Sequence, residues 1–176
     1  EIGCKSTAFF GNMQIFLRIW VFFCNFVLTL YHKLLMTRDR NICLDSLEVQ
    51  FRSVRDSRGL LTFAEDMSDF PFPLKRIFWI TDVPEQAVRG GHAHTSCKEI
   101  VCCVRGSFKL VVCNGAECRE FILDRPDRAV IIPEGVWCSL ENFAQDTVVV
   151  VGASEHYSTD GYIRDYDEYM AIYGTL

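Results

Sequence analysis

The chain has no excess of positive charge, which limits the partners it can bind. Its 176 residues include 18 lysines and arginines against 23 aspartates and glutamates, a net charge of -5 at pH 7. No basic stripe with interleaved aromatic residues is present, so we do not expect the chain to bind nucleic acid. A negatively charged ligand would need a local cluster of arginine and lysine side chains instead.

Several other signatures are also absent from the sequence. Neither GxGxxG nor GxxxxGK[ST] occurs, and these are the glycine-rich loops that cradle phosphate groups. There is no internal repeat, and no CxxC pair among the nine cysteines. The chain is also too long for a small scaffold held by disulfides, and several cysteines fall inside apolar strand patterns. We therefore expect free thiols in a reducing, cytoplasmic compartment and no structural zinc.

What the sequence does contain is typical of a folded globular domain. It is 49% hydrophobic and 13% aromatic, which argues against disorder. The length suits one domain, or one domain with an appendage, and allows a sizeable core.

The most apolar stretch lies near the amino terminus, in residues 13–35. It is long enough to approach a membrane span and has a positive residue near each end. One interpretation is a membrane anchor, in which case the membrane is a partner. The other is that residues 1–35 are not part of the working protein, and we favour it because residues 36–176 look like a complete domain by themselves.

Short strands follow one another through the rest of the chain. Leu47, Val49 and Phe51 alternate with polar residues, a pattern that predicts a half-buried strand. Asn114-Gly115 is a strong signal for a tight hairpin turn. This spacing of strands is typical of a sandwich or barrel. Further strands are predicted at 60–63, 75–81, 107–113, 119–123, 129–133, 136–140 and 147–153, and a strand that carries both histidines is predicted within 89–106.

A single helix is predicted at the carboxy terminus. Asp165 followed three residues later by Glu168 indicates a capping box, and Gly174 is a natural stop. The spacing of the aromatic residues predicts one apolar face that packs on the barrel. That face comprises Tyr166, Tyr169, Met170 and Tyr173.

The chemistry is concentrated in the segment RGGHAHTSCKEIVCCVRG, residues 89–106. His92 and His94 are two residues apart and share one side of a strand. With Glu99 and a later glycine, their spacing resembles the first motif of the cupin β-barrels. The second cupin motif, PxGxxHxxxN, has a counterpart in PEGVWCSLEN, where Cys138 replaces the histidine.

These residues are compatible with three kinds of site. Two imidazoles, a carboxylate and the Cys138 thiolate could hold a transition metal, as in a metal-dependent cupin oxygenase. Alternatively, His92 or His94 is a general base in a cavity without metal, and Arg89 balances negative charge or holds a phosphate. The histidines could also be satisfied polar residues of a barrel mouth, as in a non-catalytic sugar-binding cupin.

From Leu47 onwards the chain resembles the WxcM-like cupins that act as nucleotide-sugar 3,4-ketoisomerases. The resemblance rests on DSRGLL, FPFPLKRIFWI, RGGHAH, GSFKLVV, FILDRPDRAVIIPEGVW and EHYSTDGYIRDYDEYM. It implies an all-β cupin, a jelly-roll barrel with a C-terminal helix, that forms a homodimer. It also implies that dTDP-4-keto-6-deoxy-D-glucose is converted to a 3-keto-6-deoxy hexose through an enediol, without a metal or cofactor. Such reactions serve deoxyamino-sugar and polysaccharide biosynthesis.

The resemblance also assigns roles to particular residues. It places the two catalytic histidines at His92 and His94, one to move the protons and the other to orient and polarise the sugar. Arg89, Arg76 and Arg58 become candidates for binding the diphosphate or the sugar oxygens.

Glu99 is expected to hydrogen-bond a histidine or the substrate. Cys138 is a cavity residue at a position where relatives can carry a basic side chain, and Thr95 follows HAH where a basic residue is common. These two departures leave the configuration of the product at C4 open.

Overall fold

The computed structural model describes residues 42–174, within a compact unit that spans residues 41–176. The apolar stretch at 13–35 lies outside the described residues. Within residues 42–174, no helix is long and apolar enough to cross a membrane.

The described chain is mostly antiparallel β-structure, as the alternating sequence pattern predicts. A short 3-10 helix, Leu44–Leu47, comes first, and one α-helix, α1 (Tyr166–Tyr173), comes last. The strands are β1 (Glu48–Gln50), β2 (Arg52–Asp56), β3 (Gly59–Phe63), β4 (Arg76–Ile80), β5 (Arg89–His94), β6 (Glu99–Arg105), β7 (Phe108–Cys113), β8 (Cys118–Leu123), β9 (Arg128–Ile132), β10 (Trp137–Glu141), β11 (Val148–Ala153) and β12 (Tyr162–Ile163).

Two five-stranded sheets form the barrel. The first has the order β1-β9-β6-β11-β4 and the second the order β12-β5-β10-β7-β8. Apolar residues at alternate positions of both sheets form a buried core, as period-two patterning requires. Its members include Val101, Phe108, Leu110, Val130 and Val149, each at most 1% exposed. The all-β prediction is confirmed.

A second apolar cluster, which includes Ile100 and Cys102 of β6, lies outside the main core. Here Phe70 and Phe72, from the loop before β4, pack against Ile100 and Cys102. The predicted strand at Leu47–Phe51 is shorter than expected, because Leu47 belongs to the 3-10 helix. The chain leaves β1 at Phe51, whose N–H donates to the carbonyl of Asp127 at 2.8 Å, and enters the β2–β3 hairpin.

The Asn114-Gly115 signal marks a hairpin, but with a longer loop than a two-residue turn. Asn114 Oδ1 accepts hydrogen bonds from the N–H groups of Ala116 and Glu117, both at 2.9 Å. Gly115 has φ +88°, a conformation that favours glycine. The side chain of Asn114 therefore stabilises a four-residue connection between β7 and β8.

The expectation that the cysteines are all free is wrong at one place. Cys113 and Cys118 face each other at the end of the β7–β8 hairpin and form a disulfide. Close cross-strand pairing brings the two sulfurs together, and no CxxC spacing is needed for it. Cys97, Cys102, Cys103 and Cys138 are free and buried, as expected for cysteine used as a small apolar residue.

Helix α1 begins where its sequence predicts, but the predicted apolar face packs only in part, because Tyr166 and Met170 stay 44% and 37% exposed while Tyr169 is buried. Asp165 caps it, since its carboxylate accepts from the N–H of Glu168 at 2.8 Å. Tyr169 is fully buried, and its hydroxyl donates to the carbonyls of Cys113 (2.6 Å) and Gly135 (3.2 Å). Tyr169 also contacts Trp137, so Trp137 is a packing residue between the helix and the second sheet.

Candidate active site

The strand that carries both histidines is shaped by two glycines. Gly90 and Gly91 have φ +76° and +67°, and the pairing of β5 with β10 shifts register beside them. A side chain at Gly90 would place its Cβ 2.9 Å from the carbonyl oxygen of Cys138. The glycine pair therefore allows a bulge that turns the following His92 and His94 towards the barrel interior.

His92 and His94 share one face, as predicted, with ring centroids 5.0 Å apart in an edge-to-face arrangement. Their exposure differs. His92 is half-buried and lines a cavity of about 330 Å³ between the two sheets. His94 is 4% exposed and lies behind the cavity wall.

The surroundings of His92 favour its neutral form. Burial lowers the pKa of the His92 imidazole, and the neighbouring His94 and Arg164 act in the same direction. The backbone of Gly90 and the carboxylate of Glu99 oppose this effect without reversing it. A neutral imidazole on a cavity wall can accept a proton from a ligand at neutral pH.

On the cavity wall, Glu99 lies between a histidine and an arginine. Its Oε1 is 3.2 Å from His94 Nε2 and 3.5 Å from Arg76 Nη2. The His94 contact is not aligned as a hydrogen bond, although the two atoms are close enough for one. Arg76 also stacks on Phe78, at 5.1 Å from its ring centroid. Glu99 therefore lies beside a histidine without the expected hydrogen bond, and Arg76 is not among the cavity-lining residues.

Unpartnered polar atoms are concentrated in this region. Within residues 42–174, the buried side-chain nitrogens and oxygens without a hydrogen-bond partner are Arg76 Nε, His92 Nδ1 and His94 Nε2. Buried polar groups in native proteins are nearly always paired, so such atoms together indicate a place where a polar ligand completes the bonding.

Cys138 lies on the cavity wall, opposite His92 on the neighbouring strand. It is 2% exposed, and burial raises the pKa of its thiol, with a further contribution from the Glu99 charge. The thiol therefore stays protonated at neutral pH. A protonated thiol carries no charge and does not replace a basic side chain.

The other two predicted arginines, Arg89 and Arg58, lie in different places. Arg89 lines the cavity mouth and is exposed. Arg58 is in the turn of the β2–β3 hairpin, where it pairs with Asp56 and keeps 88% of its side chain exposed. It is outside the cavity lining of its own chain.

Two cavity residues that can bind a polar ligand, Tyr162 and Arg164, were not among the predicted site residues. Tyr162 of β12 pairs with His94, and its ring centroid lies 4.4 Å from that of His94 and 4.9 Å from that of His92. Arg164 places its guanidinium over the Tyr162 ring at 4.3 Å. Both lie in the segment GYIRDYDEY, which resembles the family pattern, but residue spacing does not reveal that this segment returns to the histidine strand.

The same group of residues could also be considered as a metal site. Among the described residues, His92, His94 and Glu99 offer ligand atoms within 4.8 Å of one another. The residue types fit a divalent metal, and Cys138, the fourth ligand considered from the sequence, is not part of this group.

The sequence and the fold match known proteins. A family model described as WxcM-like, C-terminal (FdtA) matches residues 45–174. The chain is 32% identical over 126 residues to the TDP-4-oxo-6-deoxy-alpha-D-glucose-3,4-oxoisomerase of Aneurinibacillus thermoaerophilus. The matched region covers 72% of this chain and 91% of that protein.

Solved structures give the same result. The QdtA sugar 3,4-ketoisomerase from Thermoanaerobacterium thermosaccharolyticum, in complex with TDP, has a TM-score of 0.69 and 32% identity, over 72% of this chain and 92% of that one. A mutant of that enzyme is also known in complex with TDP-4-keto-6-deoxyglucose. The WlaRB TDP-quinovose 3,4-ketoisomerase from Campylobacter jejuni has a TM-score of 0.68 and 31% identity. The match covers 70% of this chain and 95% of that one.

Proposed function

The chain belongs to the WxcM-like, C-terminal (FdtA) family, and from that premise we propose that it is a sugar-nucleotide 3,4-ketoisomerase. Its substrate is dTDP-4-keto-6-deoxy-D-glucose, and its product is a dTDP-linked 3-keto-6-deoxy hexose. The observation that carries the proposal is the cavity itself, in which His92 offers a neutral imidazole beside a cluster of buried, unpartnered polar atoms.

His92 is the base that moves the carbon-bound proton. It takes the proton from C3, beside the ketone, and returns one to C4 after the enediol has formed. Its position on the cavity wall and its lowered pKa support this role, because a base must be unprotonated and within reach of its proton. His94 lies behind His92 and in contact with Glu99, which suits a residue that orients and polarises the site.

The negatively charged nucleotide is held at the cavity mouth. Arg89 and Arg164 are the arginines that line the described cavity, and both are exposed enough to meet a diphosphate from solvent. Guanidinium groups bind such oxygens with charge-assisted, bidentate hydrogen bonds. Arg76 is in contact with Glu99, so its role lies with the histidines rather than with the diphosphate.

A second chain completes the protein as a homodimer. The outer side of β4, an edge strand, leaves Ile77 58% and Trp79 69% exposed. The β2–β3 hairpin adds exposed Val54 and Leu61. Apolar patches of this kind are typical of protein interfaces, and a second copy would also cover the open edge.

The proposed location is the cytoplasm. The four free, buried cysteines support it, since they form no disulfide with one another.

The proposal is tested by incubating the purified full chain with dTDP-4-keto-6-deoxyglucose and identifying the product by NMR. We expect a 3-keto sugar nucleotide to appear. Tight binding of the nucleotide sugar without turnover would favour a sugar-binding cupin and contradict the proposal.

A metal-dependent oxygenase is the second candidate, because three potential ligands lie together. Dialysis against a chelator separates the two functions. We expect turnover of the keto sugar to be unchanged. Loss of activity that Fe(II), Mn(II) or Zn(II) restores would favour the metal-dependent function.

A further inference from the structure

The disulfide of the β7–β8 hairpin lies where a reagent from solvent can reach it. Cys118, at the start of β8, is exposed, whereas Cys113, at the end of β7, is only 5% exposed. The four buried free cysteines of residues 42–174 have thiols whose pKa is raised by burial. Such thiols react slowly, because the thiolate is the reactive form. Among the described residues, the Cys113–Cys118 pair is therefore the one accessible disulfide.

The hairpin end that this disulfide closes supports helix α1. The carbonyl of Cys113 accepts a hydrogen bond from the buried Tyr169 hydroxyl at 2.6 Å. Gly115 lies directly against the last turn of α1, since a Cβ at this position would overlap the Tyr173 carbonyl. Both contacts come from residues that the disulfide encloses. Closure of the disulfide therefore restricts the surface on which α1 packs.

Tyr169 links this hairpin to the two strands that carry cavity residues. It packs with Ala93 of β5 and Ile163 of β12 in one buried cluster. Ala93 lies between the two histidines, and Ile163 lies between Tyr162 and Arg164. Successive side chains of a strand point to opposite faces, so a shift in this cluster also moves the side chains that face the cavity.

We propose that Cys113 and Cys118 form a reversible redox site, whose disulfide form holds α1 and, through it, the cavity side of β5 and β12 in place. For its effect on turnover, the inference rests on the proposed ketoisomerase function and adds regulation to it. The reductant is a low-molecular-weight thiol such as glutathione. In the proposed cytoplasmic location, a disulfide is typically transient or redox-sensing.

The pair opens by two thiol–disulfide exchanges. The thiolate of a first thiol bonds to the exposed Cys118 sulfur, the bond between the two protein sulfurs breaks, and Cys113 leaves as a thiolate that takes up a proton. A second thiolate bonds to the sulfur of the bound thiol, and Cys118 leaves and is protonated in turn. Two thiols are thus oxidised to one disulfide, while the protein gains two electrons and two protons. Oxidised glutathione reverses both steps.

The test uses the full chain, with Cys118→Ser as the variant and Cys43→Ser as its matched control. Each change replaces one exposed cysteine by serine, but only the first removes a member of the pair. The proteins are equilibrated in buffers with different ratios of glutathione to oxidised glutathione. Alkylation and peptide mass spectrometry then give the state of the pair.

Two further measurements follow the effect of the pair on the fold and on the reaction. Amide hydrogen exchange reports on α1 through the N–H groups of Tyr169 and Gly174, which donate to the carbonyls of Asp165 and Met170. The NMR assay of the keto sugar nucleotide gives kcat/KM in each buffer.

We expect the pair to pass from disulfide to dithiol across these buffers. The α1 amides should exchange at least about fivefold faster in the reduced form, at the low end of typical coupling between two sites. The value of kcat/KM should fall by a similar factor. Cys118→Ser should behave like the reduced wild type in every buffer, whereas Cys43→Ser should respond as the wild type does.

A pair that keeps one state in all the buffers would overturn the inference. Equal amide exchange or equal kcat/KM in the two forms would do the same, as would a response to glutathione that persists in Cys118→Ser. Where that variant fails to fold, the oxidised and reduced wild-type forms provide the comparison. If neither form isomerises the keto sugar, the proposed function itself fails, while amide exchange still decides whether the pair controls α1.

Discussion

At the scale of single residues, His92 and His94 have the same chemistry but different surroundings. His92 lines the cavity, whereas His94 is buried against Glu99 and Tyr162. Two identical imidazoles can thus take different roles, because one lines the cavity and the other contacts protein side chains.

The first prediction concerns these two side chains. His92→Asn and His94→Asn should each lower turnover by about 10²-fold or more, because general acid–base catalysis typically contributes that much. Nucleotide-sugar binding should persist, since we propose that arginines at the mouth, not the histidines, hold the diphosphate. Single-turnover rates and binding titrations measure both quantities. If both variants turn over at the wild-type rate, neither histidine is the base.

The second prediction concerns the pH profile of kcat/KM. The base must be neutral, and the pKa of His92 is lowered from its ordinary value of 6.5, chiefly by burial. Activity should therefore persist below pH 6.5 and be lost as the pH falls through the lowered pKa. An acid limb at or above pH 6.5 would exclude His92 in the described environment. Arg164→Gln removes a nearby positive charge that lowers the pKa of His92. The acid limb of this variant's pH profile should therefore move to higher pH.

At the scale of secondary-structure elements, β12 and α1 join the end of the chain to the site. β12 pairs with the histidine strand, and α1 follows two residues later and packs through Tyr169 on the second sheet. The helix therefore anchors the segment that places Tyr162 and Arg164 at the cavity.

The third prediction tests the start of this helix. Asp165→Ala removes the cap bond to the Glu168 N–H and should lower the free energy of unfolding by about 1 kcal/mol. Asp167→Ala is the matched control, because Asp167 lies in the same first turn without a cap bond. Its expected loss is about 0.3 kcal/mol, from the helix dipole alone. Urea unfolding at one protein concentration measures both, and equal losses would contradict the capping role.

At the scale of the whole molecule, the barrel and its attached helix form the working unit. The described strands and helix lie within residues 42–174, and the matched family covers residues 45–174. We propose that residues 36–176 form the ketoisomerase domain and that residues 1–35 are not needed for catalysis.

The fourth prediction follows from that proposal. A chain of residues 36–176 should fold, isomerise the keto sugar nucleotide and sediment at twice the mass of one chain. Circular dichroism, NMR assay and sedimentation equilibrium check these three properties. Aggregation of this shorter chain, together with activity of the full chain in detergent, would show that the apolar segment belongs to the protein. A monomer would contradict the proposed interface.

The sequence by itself determined the elements whose signals are local. Alternation of apolar residues predicted most strands, and Asp165 predicted the start of the helix, because burial on one face and a capped N-terminus depend on neighbours in the chain. The HxH spacing also predicted that His92 and His94 share a face, since side chains two apart on a strand point the same way.

Only the tertiary structure decided which side chains meet across the fold. It separated cavity-lining His92 from buried His94, paired Arg76 with Glu99, and brought Tyr162 from the far end of the chain to both histidines. It also joined Cys113 to Cys118, against the expectation of free thiols. These contacts depend on sheet order and on the bulge at Gly90, which are set by packing between distant strands. Residue spacing fixes the side of a strand that a residue occupies, while its partner is fixed by which strand lies opposite.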